Sequence, residues 1–419
     1  MSDTIVHLSS IAGAPLLDSA GERLGRVEDV VARLDQADRD PAVVGLVARI
    51  AGREMFVPIE RVERLERAAA RTATTKLNLA QFERRPEEVL LRADVLDHSL
   101  INVRNATLVT ARDVEITCED RTWRVTAVDP TFRVKLYRLL PRRFHGHDSE
   151  HAELIPWRDV EAFVGHVPTS RLKLGSMRLR RLHPAQIADL VEAASHSEGE
   201  EILAAVGQDK ELEADVFEEL DDDHQVEFLR ERSDEQVAEV LSRMASDDVA
   251  DLLLEIQQDR RVAVLNLLPG AQQRKVMRLL GYNPSTAGGL MNPDFVAVPA
   301  SSTVAGALEH VRASALSLQQ IATICVVDEH GALIDAVSLA ELVRARPEQP
   351  LSELTDARLP TVVAEADLPE VARLMTDYNL VAMPVLDQSG APVGMIAVDD
   401  VLEQLLPADW RRRAGAARG

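Results

Sequence analysis

The sequence predicts a multidomain α+β protein: small β-barrels, then an all-α superhelix of short helices, then a tandem pair of α/β modules. Three observations predict it. Residues 5–65 hold β-branched runs broken by Asp, Gly and Pro clusters. From His183 the apolar residues switch to helical spacing. Residues 290–407 carry one pattern written twice, a repeat of roughly 60 residues. A chain of 419 residues has room for about two to four such domains. With 46% hydrophobic residues but only 3% aromatic ones, the cores must be mostly Leu, Val, Ala and Ile.

The first β unit is placed at residues 1–66. Its strands are "RVEDVVARL", "AVVGLVARI" and "EMFVPIERV", separated by "DSAGERLG", "DQADRDP" and "AGRE". Residues 66–88 read as an Ala/Arg/Thr-rich connector. A second β unit, 89–165, echoes the first: "VPIERVERL" (57–65) matches "IPWRDVEAF" (155–163), and "EDVV" (28–31) is loosely matched by "RDVE" (112–115). Duplication of a short barrel makes physical sense, because closure limits exposed strand edges. Both units resemble the PRC-barrel family, the first through "GAPLLDSAGERLGRVEDV" and the closing "VPIERV". The resemblance implies a protein-interaction module, and therefore a partner. The basic stretch 166–182 reads as a solvated linker.

The helical region is placed at 183–281. "HPAQIADLVEAA", "SDEQVAEVLSRM" and "SDDVADLLLEI" each set a polar start before apolar residues at helical spacing. Ser233 and Gln236 form a capping box, and Ser246 starts the next helix, a 13-residue step. Repeated short amphipathic helices stack into a superhelix. Residues 183–260 hold 24 Asp/Glu against 5 Lys/Arg, a difference of −19 in a chain whose net charge is −22. The charge is therefore a property of one domain. It reads as a solvated acidic surface or as a polyanionic wall relieved by Mg²⁺, a hard cation that keeps its waters and takes oxygen ligands.

The C-terminal repeat divides at 290–348 and 349–407. "VVDEHGALIDAVSLAELV" in the first half answers "PVLDQSGAPVGMIAVDDVL" in the second, with Asp328 and Gly331 matching Asp387 and Gly390. This resembles a tandem CBS pair. With the acidic short helices and the junction "YNPSTAGGLMNPDFVAVP" (282–299), residues 183–407 resemble the cytosolic half of the MgtE-type magnesium channel family. The resemblance implies Mg²⁺ held by acidic residues between the helices and the CBS pair. Asp247, Asp248 and Asp251 in the helices, and Asp367, Glu370 and Asp377 in the second CBS repeat, are the metal candidates. Two departures lower the expected affinity: Asn283, Pro284, Ser285 and Thr286 bring no carboxylate to the junction, and Asn379 stands where the family often carries Asp. CBS pairs also bind adenine nucleotides, which makes ATP or AMP the second implied ligand and Ser338, Glu341 and Asp400 its candidate residues. Ala397 lacks the hydroxyl that such a site uses. Ser338 and Asp400 also read simply as helix caps, since "SLAE" is itself a capping box.

The acidic balance argues against nucleic acid as a partner. The N-terminus has no charged-then-apolar leader, and no apolar run approaches the ~18 residues of a membrane span. Cys118 and Cys325 are expected to be reduced thiols. A cytoplasmic protein without a membrane span follows as the expectation. No G-x-S-x-G, H-E-x-x-H, C-x-x-C or Walker A pattern occurs, so no catalytic residue is assigned and a non-enzyme is expected. His145, His147 and His151 read as a polar loop in preference to a metal site. The preferred reading is a Mg²⁺-sensing regulatory protein, homodimeric through its CBS pair, whose barrels dock a partner such as a membrane transporter. The alternatives are a ligand-independent adaptor and an accessory subunit of a magnesium transport complex.

Overall fold

The computed structural model describes residues 4–33, 40–66, 68–73, 80–85, 88–119, 122–131, 154–162, 179–354 and 359–406. They fall into two units, 1–219 and 220–419.

The strands of the first unit are β1 (Thr4–His7), β2 (Pro15–Leu17), β3 (Arg23–Arg33), β4 (Ala42–Ile50), β5 (Arg53–Pro58), β6 (Val62–Glu66), β7 (Ala69–Thr72), β8 (Ala80–Gln81), β9 (Glu88–Leu90), β10 (Ser99–Asn102), β11 (Thr107–Thr110), β12 (Asp113–Glu119), β13 (Thr122–Asp129), β14 (Ile155–Pro156) and β15 (Val160–Ala162). Twelve of them form one barrel-like sheet along the path β1-β12-β13-β4-β3-β2-β7-β6, and β11-β10-β15 form a smaller one. The core is aliphatic, as the composition requires: Leu16, Val27, Val30, Leu46, Val57, Val114, Ile116 and Val125 are buried in one cluster. Residues 66–88 are more than a connector. β7 pairs with both β2 and β6, and β8 pairs with β5; Ala70 and Thr72 are fully buried. Small and β-branched side chains let that stretch close the sheet where a longer loop would leave an edge.

The duplication heard in the sequence is physical, and its two halves exchange their leading strands. β1 pairs antiparallel with β12, and β9 pairs antiparallel with β3. Each leading strand runs into one helical turn, Leu8–Ile11 or Leu91–Val95. The aspartates of "EDVV" and "RDVE" hold those turns crosswise. Asp113 accepts the Ser9 N–H at 3.0 Å and the Ser9 hydroxyl. Asp29 accepts the N–H of Arg92 at 2.7 Å and of Ala93 at 3.0 Å. After each turn the chain reverses through a left-handed residue, Gly13 (φ 79°) or Asp97 (φ 65°), whose N–H bonds Val27 O or Ala111 O, two residues before the capping aspartate. The "VPIERV" and "IPWRDV" echo is likewise one shape twice: an extended Pro, a 3-10 turn (Ile59–Arg61, Trp157–Asp159), then a strand.

The helices keep a tighter beat than the 13-residue step read from Ser233 to Ser246. Those at Lys210–Glu218, Asp222–Arg230, Asp234–Leu241, Ser246–Glu255, Gln258–Leu267 and Gly270–Leu279 begin every 12 residues. Within each 12-residue unit the seventh helical residue is buried: Val216, Phe228, Val240, Leu252, Val264 and Val276. Two to three turns of helix plus an extended cap fill such a unit. Asp209, Asp221 and Ser233 accept the N–H of Leu212, His224 and Gln236, and the Ser233–Gln236 capping box is present in both directions. Ser246 is the first helical residue, and Ala245 takes the cap position. Arg260 ties three helices: its guanidinium donates to Asp234 at 2.9 Å, to Leu229 O at 3.0 Å and to Arg232 O.

The C-terminal repeat has the expected doubled form. β16 (Ala297–Pro299), β17 (Thr323–Val327) and β18 (Leu333–Ser338) make one sheet; β19 (Val362–Val363), β20 (Ala382–Leu386) and β21 (Pro392–Ala397) make the other. In each the first pair is parallel and the second antiparallel. Asp328 and Asp387 serve the matching turns, each accepting two backbone N–H groups. Among the described residues no helix is long and apolar enough to cross a membrane.

Candidate functional site

The junction 282–292 decides where the acidic helices meet the second CBS repeat. Ala287 N donates to Ala366 O and Gly288 N to Ala364 O, both at 2.8 Å. Asn292 and Met395 exchange backbone bonds at 2.8 and 2.9 Å. The paired glycines are needed for close packing. A Cβ on Gly288 would meet the Tyr282 ring at 2.5 Å, and one on Gly289 would strike the backbone of Asn283 and Pro284. On the other side, Met291 packs where a Cβ on Gly394 would lie. Lys275, from the last helix of the acidic series, pairs with Asp294 just beyond.

This splice brings Asp247 to the second CBS repeat. Asn292 is buried, and its side-chain amide donates to Asp247 Oδ1 at 2.8 Å. Asp247 sits in the first turn of helix Ser246–Glu255. Opposite stands Asp400, in the first turn of helix Val398–Leu405. Burial pushes the Asp400 pKa up to about 7, with further upward pressure from the charges of Asp247, Asp399 and Glu403. Only the Ala397 N–H, at 3.3 Å, works in the other direction. Four carboxylates thus converge where a proton or cation is wanted, while the Asn292 amide oxygen is turned away to accept the Asp294 N–H at 2.8 Å.

Asp251 lies one turn along the same helix as Asp247. The surrounding protein pushes its pKa up to about 6, helped by the charges of Asp222 and Glu255. Its residue surface is nonetheless exposed, so solvent screens that repulsion and little energy is stored in it. Asp222 is raised as well, chiefly by desolvation and then by Glu255. Asp248 is half-buried beside Asp247.

The other candidates have local duties. Asp367 caps helix Leu368–Tyr378, accepting the Glu370 N–H at 3.0 Å, and it bridges to Thr286 of the junction. Asp377 pairs with Arg373 at 3.1 Å on the exposed face of that helix. Asn379 ends the helix in the left-handed conformation (φ 51°, ψ 46°), which Asn tolerates better than most residues. Ser338 and Glu341 form a reciprocal capping box: Glu341 Oε2 accepts both the N–H (2.9 Å) and the hydroxyl (2.7 Å) of Ser338. Of the three nucleotide candidates, Ser338 and Glu341 bond each other, while Asp400 faces other acids. Cys325 is buried, which pushes its thiol up to about 12. The histidine segment around His145, His147 and His151 lies outside the described residues, as does most of the basic linker.

Sequence reading missed Asn292, Asp399, Glu403, Asp222 and Glu255. A signal existed for two of them: in "VDDVLEQL" Asp399 adjoins Asp400, and Glu403 follows it at helical spacing.

Comparison with known proteins places this geometry. Residues 182–285 match the MgtE intracellular N domain family, and residues 287–348 and 351–407 match the CBS domain family. The magnesium transporter MgtE of Thermus thermophilus is 39% identical over 140 residues, 33% of this chain and 31% of that protein. That of Bacillus subtilis is 28% identical over 142 residues, 34% of this chain and 32% of that protein. The matches thus span about a third of each of these curated relatives. Among solved structures, the cytosolic domain of the Mg²⁺ channel MgtE in complex with ATP is 30% identical, with a TM-score of 0.54 over 58% of this chain and 98% of that one. The soluble part of a magnesium transporter, 22% identical, shares the fold with a TM-score of 0.52 over 58% of this chain and 94% of that one.

Proposed function

Since the chain belongs, through residues 182–407, to the family of MgtE cytosolic regions, we propose that it is a non-catalytic regulator that senses Mg²⁺ between its acidic helices and its second CBS repeat. The observation that carries this reading is the crowding of Asp400 by Asp247, Asp399 and Glu403. A half-buried acid facing three others is destabilised as an anion, and a divalent cation removes that penalty. Carboxylate oxygens are the hard donors that Mg²⁺ takes, with waters completing its octahedron. Asp247, Asp400 and Asp399 would hold it, and the Asn292 amide would keep Asp247 aimed. Bound Mg²⁺ would supply charge neutralisation and draw helix Ser246–Glu255 toward helix Val398–Leu405.

The signal passes to a partner, a magnesium-transporting membrane protein, with the barrel-like sheet as the docking module. The protein works in the cytoplasm as a homodimer. Exposed Tyr378, Val381, Leu402 and Leu405 in the second CBS repeat supply the apolar surface for pairing. Adenine nucleotide is a weaker ligand here than Mg²⁺, because Ala397 offers no hydroxyl and the Ser338 hydroxyl is engaged by Glu341.

Thermal unfolding against MgCl₂, with NaCl at matched ionic strength, tests the reading. A native-state ligand raises Tm as its concentration passes Kd. The rise should be specific to Mg²⁺ and vanish in Asp247→Asn and Asp400→Asn. A flat response in the wild-type protein would leave a ligand-independent adaptor.

A further inference from the structure

A second charged feature lies in the barrel unit, and its sign is opposite. A cleft of about 320 Å³ is lined by Arg23, Gly25, Arg26, Glu28 and Arg49. Glu28 is the carboxylate in its lining, with three guanidiniums around it, and one of these, Arg49, also donates to Glu54 Oε1 at 3.2 Å. Arg49 Nε is 3.2 Å from Glu28 Oε1, Arg26 Nε is 3.7 Å from the same oxygen, and Arg92 Nη1 is 3.7 Å from Oε2. The two longer contacts exceed hydrogen-bond length, although Arg92 Nη1 also donates to the Glu28 backbone carbonyl at 3.2 Å. The side chains of Arg26 and Arg49 remain half exposed. Arg23 contributes only a 3.4 Å bond to Gly25 O.

The duplicated half differs at the matching positions. β2 pairs Pro15 with Arg26 and Leu16 with Gly25; β10 pairs Ser99 with Thr110 and Leu100 with Val109. Thr110 therefore stands in the place of Arg26, and Val109 in the place of Gly25. Arg112, paired with Asp97, takes the place of Glu28. Among the described residues, the places of Arg26 and Gly25 carry no arginine in the second half.

We propose that this cleft binds a phosphate-bearing small molecule through Arg23, Arg26 and Arg49, with Glu28 as an internal competitor for the same forks. Guanidinium pairs match phosphate oxygens in bidentate geometry. Several forks around one concavity ask for a group with three or more acceptor oxygens, which a single carboxylate lacks. The volume is at the lower limit of small-molecule sites, which run from about 300 Å³ upward. Pyrophosphate and the phosphate tail of a nucleotide share this chemistry.

Calorimetric titration of the full chain with sodium pyrophosphate, at fixed ionic strength, tests the proposal. ADP, adenosine and sodium sulfate are the parallel arms. Saturable pyrophosphate binding is expected. Arg26→Gln should weaken it about tenfold, the loss of one charged hydrogen-bonding fork. Glu28→Gln should tighten it several-fold, a sign that a merely structural effect would not produce. Arg23→Gln repeats the first test if Arg26→Gln melts early. ADP weakened by the same factor in Arg26→Gln identifies a nucleotide as the source. Pyrophosphate alone responding identifies the inorganic ion. Absence of saturable binding, weakening in Glu28→Gln, or a sulfate response equal to pyrophosphate and indifferent to Arg26→Gln (an adventitious ion only) would each overturn it. None of these outcomes bears on Mg²⁺ at Asp400.

Discussion

Asp29 in the barrel is buried and Asp400 beside the junction half-buried, and both have pKa values pushed far above the ordinary carboxylate range, to about 6 and about 7. Desolvation leads in each case. What surrounds them differs. Asp29 receives three backbone N–H groups, from Val30, Arg92 and Ala93, and has one acidic neighbour of note, Asp94. Asp400 receives one long N–H and faces Asp247, Asp399 and Glu403. The first is a cap: its oxygens are spent on holding the exchanged turn. The second accepts one N–H and, among the described residues, has acids as its charged neighbours. Burial by itself therefore does not separate a structural acid from a ligand; the inventory of donors around it does.

The largest test of that contrast is to delete both side chains in turn. Asp29→Ala strips the acceptor from three N–H groups and should cost about 2–4 kcal/mol of stability, read as a fall in the denaturant midpoint. Asp113→Ala, its counterpart across the pseudo-repeat, should behave alike. Asp400→Asn should do the opposite in a chelator: removing an anion crowded by like charges should stabilise by about 1–2 kcal/mol. A loss of stability of Asp29 size in Asp400→Asn would show that Asp400 too is a cap, and would break the comparison.

The pH dependence sharpens it. Both groups have folded pKa values above the unfolded value of 3.8, so the folded state binds the extra proton. Their stabilising contribution is complete below the unfolded value and is lost as pH rises through about 6 and about 7. Lowering pH from about 7.5 to about 5 should then raise stability by on the order of 2 kcal/mol, contrary to ordinary acid denaturation. Urea titrations across that range would measure it, and Asp400→Asn should flatten the upper part. The Mg²⁺-induced rise in Tm should shrink over the same interval, since the protonated acid no longer needs a cation. A Mg²⁺ effect that is constant down to pH 5 would argue for binding elsewhere.

The smallest effect belongs to Asp377. Its partner Arg373 is exposed on the same helix face, and exposed pairs of this spacing contribute below about 1 kcal/mol. Asp377→Asn should leave both stability and the Mg²⁺ response nearly unchanged. Loss of the response would return helix Leu368–Tyr378 to the metal site.

Much of this was legible in advance where the signal is local. The Ser233–Gln236 box, the aspartate turns at 328 and 387, and the amphipathic helices depend on residues three or four apart, and each formed as read. The duplicated barrel was audible in "EDVV" and "RDVE", although the reason those aspartates recur, a cap given across to the other half, was not. The 12-residue beat of the helices was also in the sequence. It was blurred because the cap varies among Asp, Ser, Ala, Gln and Pro while the buried seventh position stays apolar.

The sequence by itself determined which elements exist, how they repeat, and that one domain holds nearly all the net negative charge. Spacing and capping are short-range effects that neighbouring residues settle among themselves. Tertiary structure alone decided that β1 and β9 change places, that Asp247 meets Asp400 while Asp367 and Asp377 keep local partners, and that Arg26, Arg49 and Arg92 gather around Glu28. Those outcomes turn on which distant strands and helices pack together. Two carboxylates repel over a few ångströms whatever their separation along the chain, and only the folded backbone sets that distance.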